Sequence, residues 1–391
     1  MSFSKECAKI VCEKWDRYQM YRIWRDKNKE LYQDPITNEF RLRGVLTEEQ
    51  KNEIDTFYQE NYGEKINHGW HRVYTGITGI FDKTYFPKTL YFPEFERFEN
   101  LHIGFSKSLV DKNFVPLLAK GLGIRMPRML LNCTSGAYRD ENNRLISRIE
   151  VERRLNQYGE VVIKPSVESG GGKNISLICM KEGVNQYSGK TIENILEGYG
   201  DNFVVQERLR SHESLRKIYP ESINNFRIVS YRWRDEIRIC PAYLRIGHGG
   251  SFVDNVCSGG FSVGIDDEGR FVGSALCEKR GDCIVKHPDT GLIFAGYTVP
   301  GFVKILATVR RIHENIPQLG CCNWDFTLDE EEVPVMIEMN TMSGGGPDSI
   351  QRLHARGCFG DNTADILRWL RVMKKTPLSK RKQYMFGYGM D

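Results

Sequence analysis

Apolar residues recur at helical spacing from the start of the chain. Over residues 3–33 they predict one long helix with Phe3, Ile10, Val11, Trp15, Tyr18 and Tyr21 as its buried positions. Eight Lys/Arg against five Asp/Glu in this stretch describe a solvated charged face on a helix packed against the body, with a membrane-surface role as the sharper alternative. Pro35, Asn38 and Gly44 mark a break. Thr47-Glu48-Glu49-Gln50 then has the form of a capping box and predicts a second helix toward Tyr62, stopped by Gly63. Residues 67–105 are rich in aromatics, Gly and Pro and predict irregular structure. An amphipathic helix follows from Asp111 to Leu122, then a strand at Met129-Leu130-Leu131. Ser147-Arg148-Ile149-Glu150 opens a helix that reaches Tyr158.

Beyond residue 160 short β-rich runs dominate: Val161–Lys164, Ile175–Cys179, Phe203–Glu207, Phe226–Trp233, Ile237–Leu244, Cys322–Leu328 and Val335–Met339. Helices are expected over Thr191–Gly198, Pro300–Asn315 and Asn362–Lys374. Strands with interspersed helices, lacking a regular βαβ alternation, predict an α+β architecture. The expected division is a mainly helical and irregular region over 1–105, a first lobe over 106–209, and a second lobe with a C-terminal helix over 210–391.

Composition narrows the function classes. With 40% hydrophobic and 27% charged residues in 391, the chain has ample core material, which excludes disorder throughout. Lys+Arg 55 against Asp+Glu 51 leaves a net charge of +4 with no basic block, so no nucleic-acid partner is expected. No apolar run is long enough for a membrane span, and the N-terminal residues lack a secretory signal. Eleven cysteines without regular spacing read as reduced thiols, and a cytoplasmic location is expected.

Three constellations carry chemistry. The first is Val161-Val162-Ile163-Lys164-Pro165 followed by Ser169-Gly170-Gly171-Gly172-Lys173. A lysine at the end of a buried strand is costly unless it meets an anion, and adjacent glycines let backbone N–H groups approach that anion. The spacing is not that of a Walker P-loop, and a flexible hairpin turn is the bland alternative. The second pairs Trp324-Asp325 with Glu338-Met339-Asn340. Alternate strand residues share a face, so Glu338 and Asn340 point the same way, and a paired strand would bring Asp325 to them. Three hard oxygen donors suit Mg2+, whereas an edge hairpin would leave the acids in solvent. The third is Arg227 and Arg245, each inside an apolar strand, where a guanidinium usually has a carboxylate or phosphate partner; for a lone arginine a structural salt bridge is the favoured reading. Cys277, Cys283 and His287 do not have the spacing of a zinc site.

Taken in order, these stretches resemble the ATP-grasp superfamily, and more narrowly its sugar-transfer-associated branch, related to the α-L-glutamate ligases. The narrower resemblance also rests on Asp111-Lys112-Asn113-Phe114, Val205-Gln206-Glu207, Val253-Asp254-Asn255, Ser258-Gly259-Gly260 and His287-Pro288-Asp289-Thr290-Gly291, and spans about residues 45 to 350. It implies an ATP-grasp fold, in which two α+β lobes sandwich ATP. It implies that Lys112 and Lys164 contact the phosphates, and that Ser169, Gly170, Gly171, Gly172 and Lys173 close over them. Gln206, Glu207, Arg208 and Leu209 would form the adenine hinge, and Asp325, Glu338 and Asn340 would hold Mg2+. Arg227 and Arg245 would neutralise the transferred phosphoryl group and the substrate carboxylate. Asn224, Asn255, Ser258, Gly259, His287 and Ser343 would lie on the substrate side.

The reaction implied is ADP-forming ligation of a carboxylate to an amine through an acylphosphate. The branch points to a sugar acid in polysaccharide or glycoconjugate biosynthesis, so the expected partners are a small-molecule or glycan carboxylate and an amine. Two alternatives use the same ATP site: a phosphotransferase with a hydroxyl acceptor, and a non-catalytic module that binds nucleotide or glycan. The sequence sets no oligomeric state.

Overall fold

The computed structural model describes residues 2–100, 108–167, 174–254, 259–277, 280–342 and 344–390. Helices make up the N-terminal region: α1 (Ser2–Gln33), α2 (Pro35–Arg43), α3 (Glu48–Asn61), α4 (Gly69–Thr78), a single turn α5 (Lys88–Leu90), a π-helical turn at Tyr91–Phe95 and α6 (Glu96–Glu99). The expected capping box closes at α3: the Gln50 N–H donates to Thr47 Oγ1 at 3.1 Å and the Thr47 N–H to Gln50 Oε1 at 3.0 Å. Residues 67–105, expected to be irregular, are largely helical where described. Their side chains are buried on most sides: Trp70, Tyr74, Tyr91, Phe95 and Phe98 are all within the core.

The expected burial along α1 is inverted. Ile10, Val11, Trp15, Tyr18 and Tyr21 are exposed, while Asp16 and Leu31 are buried and Met20 and Ile23 pack partly against the core. The side chain of Phe3 lies outside the described residues. Ion pairs fix this orientation: Asp16 meets Arg97 at 2.6 Å and Arg381 at 2.7 Å, and Glu30 pairs with Lys88.

After α7 (Val115–Gly121) come β1 (Met129–Thr134), β2 (Ala137–Asp140), α8 (Arg148–Gln157), β3 (Val161–Pro165), β4 (Ser176–Ile178), a small hairpin of β5 (Met180–Lys181) and β6 (Val184–Asn185), α9 (Ile192–Tyr199) and β7 (Asn202–Glu207). Five of these strands form an antiparallel sheet in the order β2-β1-β7-β3-β4. Val151 and Leu155 of α8 and Ile195 and Leu196 of α9 cover one face of it. The opposite face carries Val162, Lys164 and Gln206.

The remainder begins with α10 (Glu213–Ile218). It continues through β8 (Phe226–Trp233), β9 (Glu236–Ile239), β10 (Ala242–Ile246), β11 (Phe261–Ile265), β12 (Phe271–Cys277) and β13 (Asp282–Ile284). It then passes through α11 (Phe302–Glu314), β14 (Cys321–Leu328), β15 (Pro334–Asn340), α12 (Gly346–His354) and α13 (Thr363–Lys375). Its eight-stranded sheet runs β13-β12-β11-β10-β8-β14-β15, with β9 also paired to β8. The run Ile237–Leu244, expected as one strand, is split into β9 and β10 at Cys240-Pro241, because proline has no N–H for the ladder.

β8 is buried on both faces. Phe226 and Ile228 join a core with Phe302, Ile305 and Val309 of α11. Val229, Tyr231 and Trp233 join a second core with Tyr58 of α3 and Trp369 of α13. Each fully buried side chain of this size contributes roughly 1.5–3 kcal/mol. A buried polar chain pins the centre: Trp324 Nε1–H donates to Ser230 Oγ at 2.7 Å, and Ser230 Oγ lies 2.8 Å from His313 Nδ1. The other histidine nitrogen meets the Leu319 carbonyl at 2.8 Å.

Candidate active site between the two sheets

A cavity of about 720 Å3 opens between the two sheets. Its floor on one side is a row of directly opposed residues that crosses four strands. Tyr243 of β10 faces Arg227 of β8, Arg227 faces Asp325 of β14, and Asp325 faces Glu338 of β15. All four line the cavity, as does Asn340 two residues beyond Glu338. Strand alternation sends Trp324 and Phe326 into the core below, so Asp325 must project from the other face.

Two arginines converge on Asp325. Arg227 Nε lies 2.7 Å from its Oδ1, at an angle unfavourable for a hydrogen bond, and Arg245 Nη2 lies 2.8 Å from its Oδ2. Arg227 Nη1 donates to the Gly344 carbonyl at 2.8 Å. Burial lowers the affinity of Arg245 for its proton, but the carboxylates of Asp325 and Asp254 outweigh it and leave the guanidinium more basic than usual. Asp254 was assigned no role from the sequence. It is buried and accepts from the Asn225 backbone N–H at 2.6 Å and from Asn225 Nδ2 at 3.0 Å. Burial raises its pKa above the ordinary carboxylate value, against the pull of Arg245. Its position in Val253-Asp254-Asn255 was the signal available, but no spacing ties it to Arg245.

The facing wall comes from the first sheet. Lys164, at the end of β3, is 7% exposed and makes no ion pair or side-chain hydrogen bond among the described residues. Burial lowers its pKa from 10.5 to about 8, opposed by Glu338 and Asp325 and assisted by Lys112. The Lys112 N–H donates to the Ser166 carbonyl at 3.0 Å, which fastens it beside the end of β3, and its ammonium lies 3.7 Å from Glu338 Oε1. Gln206, Glu207, Arg208 and Leu209 line the same cavity. Glu207 Oε1 accepts from the Arg128 N–H at 2.9 Å, and Arg208 reaches Glu160 at 2.6 Å.

The chain leaves β15 through glycines that approach the sheet closely. A Cβ on Gly344 would stand 2.3 Å from the Asn323 side chain, and one on Gly346 would stand 2.5 Å from Val229. The oxygen set Asp325, Glu338 and Asn340 fits Mg2+, which commonly takes one or two protein carboxylates and completes its shell with water and phosphate oxygens. Among the described residues no three His, Cys, Asp or Glu side chains form a closed metal cage.

Three sequence candidates are turned away from the cavity. Asn224 is fully buried, donating to the carbonyls of Leu215 and Tyr219 and accepting from Ser222 Oγ and the Gly247 N–H. His287 is fully buried and stacked on Tyr219. One nitrogen lies 2.9 Å from the Gly247 carbonyl, and the other accepts from the Asp289 and Thr290 N–H groups. Gly259, beside His248, does not line the cavity. Ser169, Gly170, Gly171, Gly172, Lys173, Asn255, Ser258 and Ser343 lie outside the described residues.

A family described as sugar-transfer associated ATP-grasp matches residues 94–351. Similar solved structures include an N5-carboxyaminoimidazole ribonucleotide synthetase in complex with ADP (9% identity, TM-score 0.38, covering 62% of this chain and 47% of that one). They also include the L-amino acid ligase from Bacillus licheniformis (12%, 0.34, 63% and 43%). A third is D-alanyl-alanine synthetase A from Vibrio cholerae (11%, 0.41, 70% and 66%). The chain thus spans between 43% and 66% of the length of these structures. No curated protein matches it.

Proposed function

The chain belongs to the sugar-transfer associated ATP-grasp family, and from that premise we propose that it is an ATP-dependent carboxylate–amine ligase that releases ADP. Its fold is the ATP-grasp fold. The observation that carries the proposal is Lys164. A buried ammonium that makes no close ion pair among the described residues faces a carboxylate pair across a cavity of about 720 Å3. An isolated buried charge is costly, and the phosphates of a nucleotide supply the missing counter-charge.

In this reading Lys164 and Lys112 hold the phosphates, and Gln206, Glu207, Arg208 and Leu209 border the adenine. Asp325, Glu338 and Asn340 would hold Mg2+, which when bound neutralises charge on the phosphate oxygens. Arg227 and Arg245 orient the substrate carboxylate and balance the charge on the transferred phosphoryl group. A carboxylate oxygen attacks the γ-phosphorus, the bond to ADP breaks, and an acylphosphate forms. The amine nitrogen then attacks the acyl carbon and inorganic phosphate leaves. Carboxylate and triphosphate repel one another, so the concentration of cations at one end of the cavity is what brings the reacting atoms together. The family's description as sugar-transfer associated supports a sugar-linked substrate, and in this proposal the carboxylate is a sugar acid of polysaccharide or glycoconjugate biosynthesis.

The test is ADP release screened against sugar acids crossed with amines, followed by mass analysis. The ligase yields inorganic phosphate and an amide lighter than its two precursors by one water. A phosphate ester would make the protein a phosphotransferase. ATP binding without turnover on any pair would favour a binding module.

A further inference from the structure

The outward face of α1 plays no part in the cavity. At 3.6 residues per turn, Ile10, Val11, Trp15, Tyr18, Tyr21 and Trp24 fall on one half of the helix, and each is between 41% and 65% exposed. The rings are already paired along the surface: Trp15 and Tyr18 lie 5.8 Å apart, and Tyr21 and Trp24 are stacked at 6.0 Å. Their exposure is imposed by the opposite face, where Asp16 and Leu31 are buried and the pairs to Arg97, Arg381 and Lys88 hold the helix to the body.

Charge is biased between the same two faces, although the exposed Glu6 falls at the edge of the outward half, in register with Trp24. Asp16 and Glu30 are consumed by partners on the body side. Lys14, Arg22 and Lys29 share the outward half with the aromatics. They are exposed and have no acidic partner among the described residues. Arg17 and Arg25, also on this half, have only loose neighbours in Glu13 at 4.0 Å and Asp26 at 3.4 Å.

We infer that α1 is a peripheral docking helix that lies on an anionic lipid bilayer surface. Tryptophan and tyrosine favour the boundary between headgroups and acyl chains, where an apolar ring body and a polar edge are both satisfied. Ile10 and Val11 bury between acyl chains, which a nucleic-acid backbone does not offer. The unpaired basic side chains meet the negative headgroups, whereas a second copy of this chain would set the same positive charges against each other. No helix among the described residues is long and apolar enough to cross a membrane, so the contact is with the surface. This inference does not rest on the proposed ligase activity.

The test is co-sedimentation of the full chain with vesicles of phosphatidylcholine alone and of phosphatidylcholine mixed with phosphatidylglycerol. The chain sediments with the mixed vesicles, not with the neutral ones, and raised salt releases it. Each of Lys14→Gln, Arg22→Gln and Lys29→Gln weakens partitioning by about fivefold. Trp15→Ala with Tyr18→Ala removes it, while the melting temperature and nucleotide binding stay as in the parent chain. No sedimentation with anionic vesicles at low salt would overturn the inference, as would equal sedimentation of the variants. A self-associated species in sedimentation velocity that Trp15→Ala with Tyr18→Ala dissolves would reassign the face to a second copy. Displacement from vesicles by a DNA duplex, with tighter binding to the duplex, would reassign it to nucleic acid.

Discussion

Arg227 and Asp325 stand directly opposite each other on β8 and β14, with the guanidinium Nε 2.7 Å from the carboxylate, and Arg245 reaches the same carboxylate from β10. One acid is therefore shared by two buried guanidinium groups before any ligand arrives, with Asp254 as a second acid acting on Arg245. Removing one partner of a buried pair leaves charge uncompensated in a poorly solvated position. Asp325→Ala is expected to destabilise the protein by about 3–5 kcal/mol. Asp325→Asn should cost less, because the amide oxygen still accepts from one arginine. Urea unfolding of the two variants beside the parent checks the order.

Glu338 behaves differently. It is partly exposed, and its nearest cation, Lys112, is 3.7 Å away. At 3.7 Å the pair is too long for a good hydrogen bond, so although it is mostly buried it contributes little to stability, about 1 kcal/mol. Glu338→Ala is therefore expected to leave the unfolding midpoint almost unchanged while abolishing ADP release. Full turnover in that variant would remove Glu338 from the metal set.

The depressed pKa of Lys164 gives a signed pH dependence. In the ligand-free protein the ammonium titrates near pH 8, and bound phosphate raises that value. Nucleotide affinity should be flat below about pH 8 and weaken above it, by up to about tenfold per pH unit. Calorimetry near pH 8 in buffers of different ionisation enthalpy should detect proton uptake on binding. The ligand-free protein shows the linked effect: the cost of the buried ammonium is present below pH 8 and is relieved as pH rises from there toward 10.5.

Gly344 couples the glycine exit to the site. Its carbonyl accepts from Arg227, and a Cβ would collide with Asn323. Gly344→Ala is expected to cost about 1–3 kcal/mol through overpacking and to lower turnover by displacing Arg227. Unchanged thermal stability would show that the loop can move away.

Much of the cavity lining was legible in the sequence because those groups are chemically conspicuous. Lys164, Arg227 and Arg245 interrupt apolar strands, and Glu338 and Asn340 alternate with buried methionines. What the sequence did not contain was the register. The row from Tyr243 to Glu338 is set by pairing between strands up to about a hundred residues apart, so neither Tyr243 nor Asp254 could be attached to Arg227 or Arg245. Asn224 and His287 were misread because a polar side chain in an apolar run serves equally well to satisfy backbone groups in the core. Periodicity also misled where both helix faces carry apolar residues, as in α1. There, the choice of inner face was made by Asp16 and Glu30 with partners distant in the chain. The runs of β11 and β12 are interrupted by Gly264 and Gly273, and β13 is only three residues long, so none of them stands out in the sequence.

The most direct measurement of the central claim is the melting temperature of the parent and of Lys164→Met, each with and without Mg-ATP. Mg-ATP is expected to raise the melting temperature of the parent, as ligand binding to the folded state must. No such rise is expected for Lys164→Met, whose ligand-free melting temperature is equal to or above that of the parent because the cost of the buried ammonium is gone. An equal nucleotide-induced rise in both proteins would contradict a phosphate-binding Lys164.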